Sequence, residues 1–68
     1  MDRPNQKYQV GNSVTSTWHD EAGEVKAIDW SVTFGQWNYK LLRARDSRYG
    51  GKEGTEVWVC ESDLKRTS

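Results

Sequence analysis

Few side chains in this sequence could do acid–base, nucleophilic or metal chemistry. His19, the single histidine, stands beside Asp20, and a proton-transfer role would require a partner held in fixed geometry. Its place in a polar turn instead predicts a solvated ring. The neighbouring Glu21 and Glu24 complete an acidic turn that we expect to face water, although such a group can hold a divalent cation weakly. Cys60, the single cysteine, has no basic partner in the sequence, so we expect a buried or half-buried thiol.

These residues predict no enzymatic activity, no cofactor and no metal site. One cysteine cannot form a disulfide within the chain, which indicates a reducing compartment, and we expect a cytoplasmic location. No apolar run is long enough to span a membrane, so we expect no membrane partner. An enzyme whose site is shared between protomers is the remaining alternative, and it would require an oligomer in solution.

A basic segment at residues 40–52 offers the first binding chemistry. It contains one acidic residue, Asp46, and five cations, which are Lys40, Arg43, Arg45, Arg48 and Lys52. Tyr39 precedes the cations and Tyr49 lies among them. Basic groups interleaved with aromatic rings suit single-stranded nucleic acid, because its phosphates contact Arg while its bases stack on the rings. The alternative is that the cations keep a long loop solvated and pair with Glu53, Glu56 and Asp29.

The aromatic residues offer the second binding chemistry. Four Trp and three Tyr are too many for one small core, so some must be partly exposed. Exposed aromatic side chains with Arg nearby are typical of binding hot spots. We expect a protein or peptide partner to bind a patch formed by Trp18, Trp37, Tyr39 and Tyr49, with Trp58 also facing outward. The alternative is that these rings cover an open barrel end or a face that associates with a second copy.

Length and composition bound the fold that must position these groups. Sixty-eight residues make one domain with a thin core. Ten Lys and Arg balance ten Asp and Glu, so no net field draws the chain toward nucleic acid or an anionic membrane. The zero net charge and the aromatic content argue against disorder. We expect residues 1–7 to form a flexible tail and residues 8–68 a single folded domain, as a monomer or a homodimer.

A spacing of two between apolar residues predicts short β-strands rather than helices. The expected strands are residues 13–18, 24–30, 37–43 and 56–60, with a turn at 20–23 and a long polar loop at 45–54. The second of these strands carries apolar groups on both faces, which predicts a β-bulge or strong coiling. In the third, Trp37, Tyr39 and Leu41 share one side. Residues 61–64 predict a short 3₁₀ turn that buries Leu64 before a brief last strand.

These elements describe an all-β, SH3-like open barrel of four to five short antiparallel strands, and several stretches resemble the Tudor domains, which have such a barrel. Residues 10–18, Val-Gly-Asn-Ser-Val-Thr-Ser-Thr-Trp, resemble the turn and first strand of that family. Residues 27–30, Ala-Ile-Asp-Trp, are similar to the end of its second strand, and residues 61–64, Glu-Ser-Asp-Leu, to its closing turn.

The Tudor resemblance implies an aromatic cage that holds methylated Lys or Arg by cation–π attraction. By position, Trp18 is similar to the first cage residue, Tyr39 to a third-strand member and Tyr49 to the last. The chain departs from the family at Glu24, where the family has an aromatic residue. The architecture is also similar to type II dihydrofolate reductases, but residues 56–60 lack the Gln and Tyr of their binding strand, so this second likeness implies no reductase activity.

Overall fold

The computed structural model describes residues 3–17, 21–48 and 50–67, and it shows an all-β chain. The elements in chain order are β1 Ser13–Ser16, β2 Ala22–Ser31, β3 Gln36–Arg43, β4 Glu56–Cys60, the 3₁₀ turn Glu61–Asp63 and β5 Leu64–Arg66. The five strands form one open antiparallel sheet in the order β4-β3-β2-β1-β5, which confirms the predicted fold class. Within these described ranges, no helix has the length and apolar character needed to cross a bilayer.

One face of the sheet, called here the inner face, carries the core. Its fully buried side chains are Tyr39, Leu41, Val14 and Val25. Val25 lies directly opposite Leu41 in the β2–β3 ladder, so the two side chains share a face and pack together. Tyr8, Val59 and Leu64 complete the core. Leu64 follows the 3₁₀ turn and is buried, as the sequence predicted.

The register of β2 against β3 shifts once. The shift follows Val25 and leaves Lys26 as the extra residue of a β-bulge. Of the two features predicted from apolar groups on both faces of this strand, a bulge or strong coiling, the structure shows the bulge. Beyond the bulge, Trp30 pairs with Trp37. Because Trp37 stands two residues from the buried Tyr39 along β3, both Trp side chains lie on the inner face, past the edge of the core.

Strand β2 begins earlier than predicted. Ala22 and Gly23, which we expected in a turn, are already strand residues, and Gly23 pairs with Val14 on one side and with β3 on the other. A Cβ on Gly23 would overlap the carbonyl oxygen of Leu42, so only glycine lets β3 approach this closely. β1 in turn ends at Ser16, earlier than predicted.

A short turn, residues 32–35, closes the β2–β3 hairpin and is called here the hairpin tip. Gly35 has φ 62°, a left-handed conformation that favours glycine. Its N–H donates to the Ser31 carbonyl oxygen at 2.8 Å. The N–H of Phe34 donates to the Ser31 hydroxyl oxygen at 3.2 Å. These two hydrogen bonds fix the shape of the tip, so its side chains are presented on a defined backbone.

Candidate binding surface on the β2–β3 hairpin

The hairpin tip exposes two large apolar side chains. Val32 is 84% exposed and Phe34 is 67% exposed. Their exposure results from their place in the turn, because residues outside the ladder have no neighbouring strand to cover them. This segment lies between the second and third strands expected from the sequence, and it was not among the predicted site residues. The signal was present in the run Val-Thr-Phe-Gly, since a turn between two strands is ordinarily polar.

Two half-buried indoles lie at the base of the tip. The rings of Trp30 and Trp37 meet edge to face, with centroids 5.2 Å apart and an interplanar angle of 77°. The two rings meet because the β2–β3 ladder pairs these residues on the inner face. Trp37 was a predicted binding residue, and Trp30 was not. An edge-to-face pair leaves ring faces free to contact a further group.

Residues 3–7, called here the N-terminal arm, lie against these indoles. The guanidinium carbon of Arg3 is 5.4 Å from the centroid of the Trp30 ring and 5.9 Å from that of Trp37, within cation–π range. The Trp37 indole Nε1–H donates to the Pro4 carbonyl oxygen at 2.7 Å. The surface therefore binds a cation and a main-chain carbonyl side by side. The expected flexibility of residues 1–7 stays a prediction.

The far end of the arm is held by main-chain contacts. The N–H of Lys7 donates to Glu61 Oε1 at 2.8 Å and to the Tyr39 hydroxyl oxygen at 3.2 Å. The Tyr39 hydroxyl itself donates to the same Glu61 oxygen at 2.6 Å. One carboxylate thus ties the arm, strand β3 and the 3₁₀ turn together.

Tyr39, a predicted binding residue, lies in the core. Its side chain is 0% exposed and its ring packs edge to face against Tyr8, with centroids 5.3 Å apart. Burial and the hydrogen bond to Glu61 together raise the pKa of Tyr39 to about 12. In this position Tyr39 supports the arm from below and presents no ring to a partner. Trp18 and Tyr49, the other two predicted patch residues, lie outside the described residues.

The basic segment does not form one continuous cationic surface. Arg43 stands on the inner face of the sheet, where its Nη2 and Nε donate to Glu21 Oε1 at 3.0 and 3.2 Å. Its Nη1 donates to the Thr55 hydroxyl oxygen at 2.7 Å. Both ionic side chains are largely buried, so the expectation that Glu21 faces water was wrong. Arg43, which we predicted as a nucleic-acid contact, therefore pairs internally and joins β3 to the start of β2.

Lys40 is also engaged on the outer face. Its Nζ lies 3.8 Å from Glu56 Oε2, one of the pairings that the alternative interpretation expected, and 5.9 Å from the centroid of the Trp58 ring. Trp58 is 49% exposed, which confirms its predicted outward position. The remaining predicted contacts, Arg45, Arg48 and Lys52, are exposed on the loop between β3 and β4.

A groove of about 330 Å³ lies at the start of β2, remote from the hairpin tip. Ser13, Gly23, Glu24 and Leu42 are among the residues that line it. Arg43 also borders the groove, but its guanidinium is held by Glu21.

Cys60 has a half-buried thiol at the end of β4, as predicted. Burial raises its pKa, and the nearby negative charge of Asp63 acts in the same direction. The thiol is accordingly protonated and weakly nucleophilic at neutral pH. Among the described residues, no three His, Cys, Asp or Glu side chains come together as a group that could hold a metal ion.

Comparison with known proteins gives no relative: no family model matches the chain, and neither the curated proteins nor the solved structures contain a significant match. The functional interpretation therefore rests on the geometry of the hairpin and its surroundings.

Proposed function

We propose that this chain is a noncatalytic binding module that engages a protein or peptide partner through the apolar end of the β2–β3 hairpin. The observation that carries this proposal is the pair of apolar side chains at the tip, Val32 at 84% and Phe34 at 67% exposure, on a backbone fixed by hydrogen bonds to Ser31. Exposed apolar groups gain free energy when a partner removes them from water. Trp37, one of the predicted patch residues, lies at the base of the same surface.

Charge favours a protein partner over a lipid or a nucleic acid. Residues 29–37 contain one charged residue, Asp29, and no Lys or Arg. An anionic membrane or a phosphate backbone is attracted by clusters of cations, which this hairpin end does not supply from its own strands. The single cation of Arg3 is engaged by the two indoles.

The strand order supports a further assignment of the sheet to the SH3-like barrels, the class to which the Tudor resemblance points. A Tudor-type cage is not part of this proposal, because Tyr39 is buried. The single cysteine supports a reducing, cytoplasmic location. A monomer and a homodimer are both compatible with a module of this kind.

The test is a selection of peptides from a random displayed library on the wild-type protein. Peptides that bind are measured against a double variant, Val32→Ser with Phe34→Ser, and against the control Trp58→Ser, which removes an exposed aromatic ring from the outer face. We expect binding to weaken at least tenfold in the double variant, because central apolar contacts dominate such interfaces, and to stay within twofold in the control.

Three results would overturn the proposal. The first is a set of selected peptides whose affinity is the same for the double variant and the wild type. The second is binding of single-stranded DNA that falls steeply with salt and shifts the amide signals of the loop cations Arg45, Arg48 and Lys52. The third is tip-dependent sedimentation with vesicles of anionic lipid.

A further inference from the structure

The N-terminal arm lies in a site formed by Trp30, Trp37 and Glu61, called here the seat, which has the features of a ligand site. Arg3 lies over two indoles, and the Pro4 carbonyl oxygen accepts from Trp37 Nε1–H. We propose that this seat binds an extended peptide carrying an Arg side chain followed by an accessible main-chain carbonyl. We further propose that the arm occupies the seat as an internal competitor, an inference that rests on the proposed function of the same hairpin.

The two indoles supply the selectivity for a cation. A guanidinium is planar and weakly hydrated, so it loses little on leaving water and gains from contact with the ring faces. Among the described residues, no carboxylate pairs with Arg3, and its guanidinium carbon lies 5.4 and 5.9 Å from the centroids of the Trp30 and Trp37 rings. The rings alone therefore hold the charge, and a neutral side chain of the same shape would lose that attraction.

The hydrogen bonds of the seat are made to main-chain atoms of the arm, so they recognise the conformation of the main chain and not the identity of its side chains. Trp37 Nε1 binds a carbonyl oxygen at one end of the arm, and Glu61 Oε1 accepts a main-chain N–H from Lys7 at the other. Pro4 restricts the residue before it to extended backbone, which matches a linear seat. Since these contacts involve atoms that every peptide has, another extended segment with a well-placed Arg can make the same set.

The arm is attached in a way that permits exchange. Residues 3–7 are exposed and form no rung of the sheet, whereas Tyr8, directly after them, is buried in the core. The tether keeps the arm at an effective concentration near the seat on the order of millimolar. A peptide in solution must displace the arm, so its apparent affinity is lowered by the fraction of seats that the arm fills.

The experiment uses the full-length ¹⁵N-labelled chain and its Arg3→Ala variant, which weakens the hold of the arm without altering the seat. The probe is the capped peptide Arg-Pro-Asn-Gln-Lys, and the matched control is the same peptide with citrulline, which keeps the shape of Arg without its charge. The readout is the indole N–H signals of Trp30 and Trp37, with the outer-face Trp58 as internal reference.

We expect the variant to shift the Trp37 indole signal upfield and the Arg peptide to return it toward the wild-type position. The citrulline peptide should bind the variant at least fivefold more weakly than the Arg peptide does. The wild-type protein should bind the Arg peptide at least fivefold more weakly than the variant does, because its own arm competes.

Equal binding of the two peptides, or no movement of the Trp30 and Trp37 signals, would overturn this inference. The double variant Val32→Ser with Phe34→Ser separates the two proposals, since it leaves the seat intact. If library peptides require the tip while the Arg peptide fails to bind, only the inference on the seat falls. If the Arg peptide binds while nothing depends on the tip, the proposed role of the tip falls.

Discussion

Tyr39 donates its hydroxyl proton to Glu61 Oε1 over 2.6 Å, and this hydrogen bond links the core of the sheet to the 3₁₀ turn. The hydroxyl oxygen in turn accepts main-chain N–H groups of Lys7 and Tyr8 at 3.2 and 3.4 Å. This buried phenol donates one hydrogen bond and accepts two, so its whole hydrogen-bonding capacity is satisfied. The neutral form of Tyr39 therefore holds the arm, β3 and the turn in one arrangement.

The stability of the fold is expected to decrease as the pH rises from about 10 to about 12. In the unfolded chain Tyr39 loses its proton near pH 10, whereas burial and the hydrogen bond to Glu61 raise its pKa in the folded chain to about 12. The folded state thus binds more protons in this window, so the stabilisation is complete below about pH 10 and is lost as the pH rises through the folded pKa. Urea unfolding followed by Trp fluorescence across these pH values measures the decrease.

Tyr39→Phe is the matched variant for this measurement. It keeps the ring that packs on Tyr8 and removes the hydroxyl, so we expect a loss of about 1–3 kcal/mol at about pH 9. The difference in unfolding free energy between wild type and variant should narrow toward pH 12, because only the wild type has a phenol to titrate. A constant difference over this range would show that the pKa of Tyr39 is not raised by folding.

Arg43→Met is expected to destabilise the fold by about 3–5 kcal/mol, because it leaves the carboxylate of Glu21 buried without its counter-charge. The ion pair has a distance of 3.0 Å and both side chains are largely buried. The comparison is Lys40→Met, which removes the ion-pair partner of Glu56. This pair is more exposed than the Arg43–Glu21 pair, so its loss should cost about 0–1 kcal/mol. Chemical denaturation of the two variants under the same conditions gives both values.

A second substitution distinguishes two causes of the instability of Arg43→Met: the loss of hydrogen bonds made by Arg43, and the burial of the Glu21 carboxylate without a counter-charge. Adding Glu21→Leu to Arg43→Met should restore much of the stability, since an apolar pair can replace a buried ion pair. If the double variant is no more stable than Arg43→Met alone, the cost arises from the lost hydrogen bonds of Arg43 to Thr55 and its surroundings instead.

Gly23→Ala is expected to destabilise the sheet by more than about 1–3 kcal/mol, the usual cost of overpacking. The added methyl group would overlap the Leu42 carbonyl oxygen, and a backbone atom held in a ladder cannot move aside cheaply. Gly54→Ala is the control, because space is open there and only its φ of 82° opposes a side chain. Thermal unfolding should show the larger decrease at Gly23, and the reverse order would contradict the close approach of β3.

The strands could be predicted from the sequence because their signals are local. Alternating apolar residues predicted β4 with its observed limits, and the apolar groups on both faces of β2 predicted a bulge or strong coiling, which the structure shows as a bulge at Lys26. The start of β2 was missed because the reason for Gly23 lies on another strand. A glycine that admits a neighbouring carbonyl looks the same in sequence as a glycine in a turn.

The candidate site was harder to predict because its contacts are long-range. Alternation placed Tyr39 on the same side of the strand as Leu41, and Arg43 continues the same series, but the prediction of an exposed patch at Tyr39 was wrong because spacing alone does not show which side is buried. The partner of Arg43 could not be read, because Glu21 is distant along the chain. The arm was missed for a physical reason: its hydrogen bonds to Trp37 and Glu61 are made by main-chain atoms, which composition does not reveal.

Cys60 is expected to react slowly with thiol reagents in the folded protein at neutral pH. Burial and the charge of Asp63 raise its pKa above the ordinary value, so the reactive thiolate is scarcer than in a free cysteine. Reaction with a disulfide dye at about pH 7.5 should be several-fold slower than in protein unfolded by guanidinium, and it should accelerate as the pH rises. Equal rates in the folded and unfolded protein would show an accessible thiol with an ordinary pKa.

Replacing the tip side chains should leave the fold intact. Because Val32 and Phe34 are 84% and 67% exposed, Val32→Ser and Phe34→Ser are each expected to change the free energy of unfolding by no more than about 0.5 kcal/mol. Val59→Ala is the contrast, since it removes buried methyl groups and should cost more than about 1 kcal/mol. A loss above 1–2 kcal/mol at Phe34 would mean that its ring packs against the chain, and the tip would then not be a free surface for a partner.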